Sequence, residues 1–234
     1  MTELDSVALQ QMSQQQVSHI RHFCAQIPEG VRVVAVTKQV PVSAMRSAYA
    51  AGLRDFGENR IQETIEKQQE LKDLNDLTWH FIGRLQSNKV LKAVQHFDWI
   101  QSIDSLALAQ RIDRIAGDQG KIIQGCLQVK LRPDDTKSGW LPEDLLRSLP
   151  QLADLSALQL QGLMLIPPAQ LSTAELQACF ADAVQLAAKI RQQVPSLPMP
   201  QLSMGMSNDY QLALETGATI IRPGSILFGQ RSYI

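Results

Sequence analysis

The sequence predicts an α/β protein folded as a single (β/α)8 TIM barrel, and three observations support this fold class. Short β-rich runs alternate with helical patterns from residue 31 to the end of the 234-residue chain. The alternation gives eight strand–helix units of about 20 to 35 residues each, as a closed parallel barrel requires. Composition does not change along the chain, so we expect one domain spanning residues 1–234. A doubly wound open sheet is the competing fold, although no G-x-G-x-x-G motif follows the first strand.

The predicted strands are short apolar runs separated by turn residues. The first is rich in β-branched residues and lies between Gly30 and Pro41, and the last ends at Pro223 before Gly224. The eight predicted strands are residues 31–38, 54–57, 79–83, 99–103, 122–131, 158–166, 202–206 and 219–223.

Helical stretches follow the strands, and capping residues indicate where several of them begin. Ser43 is the predicted N-cap after strand one, and Asp104 or Ser105 caps the helix after strand four. Ser172 and Glu175 have the spacing of a capping box at the start of the longest later helix. Further helices are predicted at residues 60–71, 86–94, 208–216 and 225–228, after residue 142, and as an extra N-terminal helix at residues 4–26.

Composition and charge exclude several classes of protein. The formal net charge is −1, so we expect no general electrostatic attraction to nucleic acid or to an anionic membrane. No apolar run reaches about 18 residues, and the start lacks the basic and apolar segments of a signal peptide. Cys24, Cys126 and Cys179 are far apart and form no CxxC pair, which favours buried thiols over disulfides or a zinc site. We therefore predict a cytoplasmic protein without a metal ion.

Lys38 is the first candidate functional residue, because functional side chains of such barrels lie at the carboxyl ends of the strands. It ends the first predicted strand, directly after an apolar run. An inward lysine there is partly desolvated, which lowers its pKa and leaves a neutral amine that can attack a carbonyl group. The alternative is a lysine whose ammonium group extends from the strand end into water.

A second candidate site lies at the ends of predicted strands seven and eight. Ser207 can cap the next helix and offer its hydroxyl to a ligand. Gly224 and Ser225 follow Arg222 at the end of strand eight, and their backbone N–H groups can approach an anion because Gly224 lacks a Cβ. Two adjacent strand ends that each open a helix are typical of the phosphate site of these barrels. Ordinary helix capping with a turn glycine is the alternative.

Other polar residues follow strand ends with weaker indications of function. Asn59 is placed to hydrogen-bond a ligand, and Glu58 to hold a neighbouring lysine or arginine. His80 lies between two aromatic residues, which favours a core histidine over a general base. Met164 is placed either to pack on a flat ring or to fill the core. Residues 137–139 form a polar loop that is typical of a solvated turn.

Taken in order, these strand-end motifs resemble the pyridoxal phosphate homeostasis protein family, also called the proline synthase co-transcribed family. The resemblance extends from about residue 33 to residue 228. Its motifs are AVTK at 35–38, FGEN at 56–59, WHFIGRLQSNK at 79–89, KSG at 137–139, GLM at 162–164, SMGMS at 203–207, and RPG at 222–224 with FG at 228–229. Gln39 and Arg60 differ from the residues that are more common in the family at these positions, but neither is one of the proposed cofactor contacts.

The resemblance implies a barrel like the N-terminal domain of alanine racemases, with pyridoxal 5'-phosphate bound as a Schiff base on Lys38. It also implies that Ser207, Gly224 and Ser225 hold the phosphate, while Arg222 faces the pyridine nitrogen. A guanidinium group keeps its charge and donates to an unprotonated pyridine nitrogen. Because an unprotonated ring is a poorer electron sink, this arrangement discourages carbanion chemistry.

The predicted function is that of a carrier and regulator in vitamin B6 homeostasis and amino-acid balance, with no catalytic residues. The chain ends soon after the last motif, so we expect no β-rich second domain of the kind that supplies a further active-site residue in racemases. Tyr210 and Tyr233 are poorly placed to replace it. We expect a monomer that passes its cofactor to apo forms of enzymes that use it. A low-activity amino-acid racemase and a cofactor-free Schiff-base aldolase are the alternatives.

Overall fold

The strands form a closed parallel barrel in which each strand pairs with the next along the chain and the first pairs with the eighth. The structure is a computed structural model that describes residues 3–134 and 136–230. The predicted TIM barrel is confirmed. Its strands are β1 (Arg32–Val36), β2 (Asp55–Glu58), β3 (Thr78–Phe81), β4 (Trp99–Ile103), β5 (Ile123–Val129), β6 (Leu158–Leu165), β7 (Gln201–Ser203) and β8 (Ile220–Ile221).

Helices surround the barrel and follow the strands as the sequence predicts. They are α1 (Glu3–Ala25), α2 (Val42–Ala50), α3 (Ile61–Glu70), α4 (Val90–His96), α5 (Leu106–Asp118), α6 (Pro142–Ala153), α7 (Thr173–Gln193), α8 (Tyr210–Glu215) and α9 (Ser225–Phe228). A 3-10 turn at Ser87–Lys89 precedes α4, so only the second half of the helix predicted at residues 86–94 is α-helical. Among the helices in the described residues, none has the apolar length that a membrane span requires.

The predicted caps at Ser105 and Ser172 are confirmed, whereas the one at Ser43 is wrong. Ser105 accepts a hydrogen bond from the N–H of Leu108, and the capping box of Ser172 with Glu175 is complete. Ser43 lies inside the first turn of α2 rather than at its N-cap. Pro41 holds the N-cap position there in an extended conformation, and its side chain makes no cap hydrogen bond. The fixed φ of proline directs the chain into the helix without that bond.

The core has an outer and an inner part. Most buried apolar side chains lie between the strands and the helices. A smaller cluster combines side chains from five strands on different sides of the barrel, which can meet only inside it. Its buried members are Val34, Trp99, Cys126, Met164 and Ile220. The barrel is therefore filled by side chains, as expected for eight strands, and a ligand has room only at its ends.

The predicted N-terminal helix is present as α1, which packs on α2 and α9. Its His19 ring Nε2 lies 2.6 Å from the carbonyl oxygen of Ile226 in α9. The rings of Phe23 and Tyr210 are 5.2 Å apart, which joins α1 to α8 as well. The helix thus supports the outer side of the two short helices that follow β7 and β8.

Candidate functional site

The carboxyl ends of β1, β7 and β8 lie side by side at one end of the barrel. The N–H of Val36 donates to the carbonyl of Pro223 at 2.8 Å, which joins the end of β1 to the end of β8. The N–H of Arg222 donates to the carbonyl of Gly205 at 2.8 Å, which joins β8 to the segment after β7. Lys38, half-buried, follows β1 by two residues. The structure therefore brings the lysine and the predicted phosphate segment to the same edge.

Ser207 lies in that segment, but it does not cap α8 as predicted. Asp209 occupies the N-cap position of α8 instead. The Ser207 hydroxyl oxygen accepts hydrogen bonds from the N–H groups of Gly224, at 3.0 Å, and Ile226, at 3.2 Å, in the first turn of α9. Ser225, between these two donors, is exposed. The Ser207 hydroxyl keeps its own proton to donate and lies at the N-terminus of α9, where backbone N–H groups favour an anion.

A glycine before Ser207 accounts for this cross-strand contact. Gly205 has φ of +93°, in the left-handed region that favours glycine. A Cβ at this position would lie 2.7 Å from the Cβ of Ala213 and 3.1 Å from the Cα of Tyr210. Because of this turn, β7 ends at Ser203, earlier than the predicted residue 206. The turn directs Ser207 towards α9 and away from its own helix.

Arg222 is buried at the end of β8, and no carboxylate of residues 3–134 and 136–230 hydrogen-bonds to it. Its guanidinium donates to the hydroxyl oxygen of Ser203 at 2.7 Å and to the carbonyl of Leu165 at 2.8 Å. Burial lowers the pKa of Arg222 to about 10, against the opposing charge of Asp209. The group therefore keeps its proton at neutral pH and can only donate hydrogen bonds.

A chain of hydrogen bonds runs from Arg222 through the barrel interior. The Ser203 hydroxyl donates to Gln101 Oε1 at 2.6 Å, and Gln101 Nε2 lies 2.9 Å from His80 Nδ1. His80 Nε2 lies 2.8 Å from the Asp55 carboxylate. Since the amide nitrogen of Gln101 can only donate, Nδ1 of His80 accepts and Nε2 carries the proton. The chain ends at the start of β2, at the opposite end of the barrel.

His80 is thus a satisfied core histidine, which confirms the interpretation favoured from the sequence. It is fully buried and stacks on Trp99. Desolvation lowers its pKa, although the bond to Asp55 opposes the shift. Sequence reasoning missed the roles of Ser203 and Gln101 in this series of hydrogen bonds. Their signal was a polar residue directly after an apolar one inside a buried strand, which indicates a hydrogen-bonded partner in the core.

Glu58 holds a lysine, as predicted. It is fully buried at the end of β2, and its Oε1 accepts from Lys67 Nζ and from the Thr37 hydroxyl, both at 2.7 Å. Its other oxygen, Oε2, has no hydrogen-bond partner in the part of the chain that the structure describes. Burial raises the pKa of Glu58, although Lys67 opposes the shift. The residue before Lys38 is therefore fixed to a buried ion pair.

The remaining predicted residues occupy different depths. Asn59 is half-buried directly after β2, and a Cβ on Gly83 would lie 2.7 Å from its backbone oxygen. Met164 is fully buried in the inner cluster, so it fills the core, which was one of the two interpretations from the sequence. A contact of Asn59 or Met164 with a ligand stays a prediction. The loop at residues 137–139 is anchored rather than simply solvated, because Lys137 Nζ donates to the carbonyl of Pro167 at 2.7 Å.

Comparison with known proteins shows the family of this chain. The alanine racemase N-terminal domain family matches residues 12–232. The pyridoxal phosphate homeostasis protein of Synechocystis sp. is 51% identical over 207 residues, covering 88% of this chain and 94% of that protein. The protein of the same name from Pseudomonas aeruginosa is 43% identical and covers 88% of this chain and 87% of its own length.

The chain belongs to the pyridoxal phosphate homeostasis protein family. A solved structure of a relative, PipY of Synechococcus elongatus PCC7942 with PLP bound, is 55% identical and superposes with a TM-score of 0.88. That comparison covers 92% of this chain and all of PipY. Alanine racemase of Clostridium difficile 630 superposes with a TM-score of 0.72 at 16% identity, and this chain covers 56% of it. The racemase likeness therefore shows the barrel fold alone.

Proposed function

We propose that this protein binds pyridoxal 5'-phosphate at the barrel mouth and acts in intracellular vitamin B6 homeostasis and amino-acid balance as a non-catalytic carrier. The observation that carries the proposal is the convergence of Lys38, the buried Arg222 and the donors around Ser207 at three neighbouring strand ends. The family and the PLP-bound relative support it. We place the protein in the cytoplasm as a monomer.

The donors at the mouth fit a phosphate dianion. Ser207 and the N–H groups of Gly224 and Ser225 would hold it, since Gly224 leaves the backbone open to a close approach. The N–H groups of Gly224 and Ile226 already converge on the Ser207 oxygen at 3.0 and 3.2 Å. On binding, the anion would replace the Ser207 oxygen as the acceptor of the Gly224 N–H, a donor that is already oriented before the anion arrives.

Bound pyridoxal phosphate supplies an aldehyde and a pyridine ring that withdraws electrons. A lysine amine would condense with the aldehyde, so that a C=N bond replaces the C=O bond and water is released. Lys38 is the residue that would provide the amine. Arg222 would donate to the pyridine nitrogen, and Asn59 and Met164 would line the ring. Lys38 is half-buried, which supports a cofactor held at an accessible mouth from which it would pass to an apo-enzyme.

Arg222 is the reason for proposing a carrier rather than an enzyme. With a pKa of about 10 it keeps its proton at neutral pH, so it does not protonate the ring. An unprotonated ring stabilises a carbanion poorly. Racemisation also needs a second acid–base group. Tyr210 is buried against Phe23, which removes it from that role. Tyr233 lies outside the described residues.

Borohydride reduction tests the attachment site. Protein loaded with pyridoxal phosphate should gain one phosphopyridoxyl group on reduction, and peptide mapping by mass spectrometry should place it on Lys38. Lys38→Ala should lose both the adduct and the visible absorption of the loaded protein. An adduct mainly on Lys89 or Lys137 would contradict the assignment. No adduct at all would favour a cofactor-free aldolase.

A further inference from the structure

Lys38 lies in a tight turn that includes a strained residue. The N–H of Val40 donates to the carbonyl of Thr37 at 2.9 Å and closes the turn over residues 37–40. Within it, Gln39 has φ of +59°, in the left-handed region that a side chain disfavours. Such a conformation persists only where the surrounding structure holds it.

An ion-pair triad on β2 and α3 supplies that support. Lys67 Nζ donates to Glu58 Oε1 at 2.7 Å, to Glu63 Oε1 at 2.6 Å and to the carbonyl of Thr37 at 2.7 Å. An ammonium group has three protons, and each is used in one of these bonds. Lys67 is buried, so water competes weakly for them.

The two carboxylates of the triad also bind the turn, one on each side of Lys38. Glu58 Oε1 accepts from the Thr37 hydroxyl at 2.7 Å. Glu63 Oε1 accepts from the N–H of Gln39 at 2.7 Å. Burial opposes ionisation of Glu63, but the bonds from Lys67 and the Gln39 N–H outweigh it and lower its pKa. The residues before and after Lys38 are therefore both tied to one charged cluster.

We propose that the triad of Glu58, Lys67 and Glu63 fixes the turn and thereby positions the Lys38 amine for condensation with an aldehyde. The three are positioning residues, since they act on the backbone that flanks Lys38. An ion pair that only fastened α3 to β2 would not need the bonds to the Thr37 carbonyl and the Gln39 N–H. The proposal rests on the function proposed above, in which Lys38 holds the cofactor.

Two ligands separate this role from a general loss of structure. Pyridoxal 5'-phosphate can condense with Lys38, whereas pyridoxine 5'-phosphate has an alcohol in place of the aldehyde and cannot. In Lys67→Met, the affinity for pyridoxal phosphate should fall about tenfold or more, as expected for losing several hydrogen bonds. The affinity for pyridoxine phosphate should stay within about threefold. Equal losses, or an unchanged affinity for pyridoxal phosphate, overturn the proposal.

A second variant keeps the test decisive if Lys67→Met does not fold. Glu63 is partly exposed, and Glu63→Ala removes the acceptor of the Gln39 N–H while Glu58 still pairs with Lys67. It should show a smaller loss, confined to pyridoxal phosphate. Adding Gln39→Gly should restore part of that loss, because glycine adopts a positive φ without strain. An unselective loss in Glu63→Ala, or no recovery with Gln39→Gly, overturns the proposal.

Lys121→Met is the matched control. Lys121 also donates to backbone carbonyls, those of Val94 and Gln95, but these belong to α4 and not to the turn. Its removal should change neither the affinity for pyridoxal phosphate nor that for pyridoxine phosphate. Borohydride mapping of the wild type separates the two proposals. A wild-type adduct on Lys38 with unselective variants refutes the triad alone, whereas no wild-type adduct on Lys38 refutes the proposed function.

Discussion

Ser203→Ala should destabilise the protein far more than a serine-to-alanine change at another buried position. Ser203 is fully buried, accepts from Arg222 at 2.7 Å and donates to Gln101 at 2.6 Å. Its removal leaves a charged donor and an amide acceptor unpaired in the core. Each such group costs about 1–3 kcal/mol, so we expect a loss of about 3 kcal/mol or more.

Ser102→Ala provides the comparison within the same barrel. Ser102 is 2% exposed on β4, and its hydroxyl has no hydrogen-bond partner among residues 3–134 and 136–230. Removing a buried hydroxyl without a partner leaves no other group unsatisfied. We therefore expect a change within about 0.5 kcal/mol, or a slight stabilisation.

Urea unfolding followed by tryptophan fluorescence and circular dichroism measures the difference. Coincident transitions by both probes and an unchanged slope with urea establish that stability alone has changed. For a chain of this size, a loss of about 3 kcal/mol corresponds to a melting temperature lower by roughly 6–12 °C. If Ser203→Ala and Ser102→Ala lose the same free energy, the hydrogen-bond chain through the barrel does not contribute to stability as argued.

Two further predictions concern pH and turnover. Burial holds the pKa of His80 below its usual value, so the unfolded chain binds a proton that the folded chain does not bind. Stability therefore falls as pH drops below about 6.5. The loss should reach up to about 1.4 kcal/mol per pH unit. In His80→Gln, this contribution to the fall of the unfolding free energy with pH should vanish, as measured by urea unfolding between pH 7 and 5.5. An unaltered dependence of the unfolding free energy on pH would contradict the buried neutral ring. For turnover, solvent deuterium should enter Cα of alanine or serine negligibly in the loaded protein. Exchange at about 1 per second that is lost in Lys38→Ala would instead show a racemase.

Local patterns in the sequence predicted the barrel well because each βα unit carries its own signals. The capping box at Ser172 and the cap at Ser105 involve residues three positions apart, so the sequence contains both partners. The same reasoning misplaced Ser207. Its hydroxyl oxygen accepts from Gly224 and Ile226, which follow the neighbouring strand β8, so no local spacing in the sequence relates donor to acceptor.

The polar interior was harder to predict for the same physical reason. Ser203 and Gln101 lie about a hundred residues apart, and their bond forms only because β7 faces β4 across the closed barrel. A polar residue in an apolar strand indicates that a partner exists without naming it. Lys38 and Glu58 were predictable as strand-end residues, but Glu63 and Lys67, on an amphipathic helix, resemble an ordinary pair spaced for the helix surface.

The pairing of β1 with β8 also bears on how the protein is made. Arg32 pairs with Ile220, so Lys38 follows the first strand of the barrel, whereas the proposed phosphate donors Gly224 and Ser225 follow the last. At about 5–20 residues per second, translation separates the two by roughly 10–40 s. A nascent chain in that interval has no assembled site for the cofactor. Because a ligand stabilises only the state that binds it, vitamin B6 would favour the finished barrel and leave growing chains untouched.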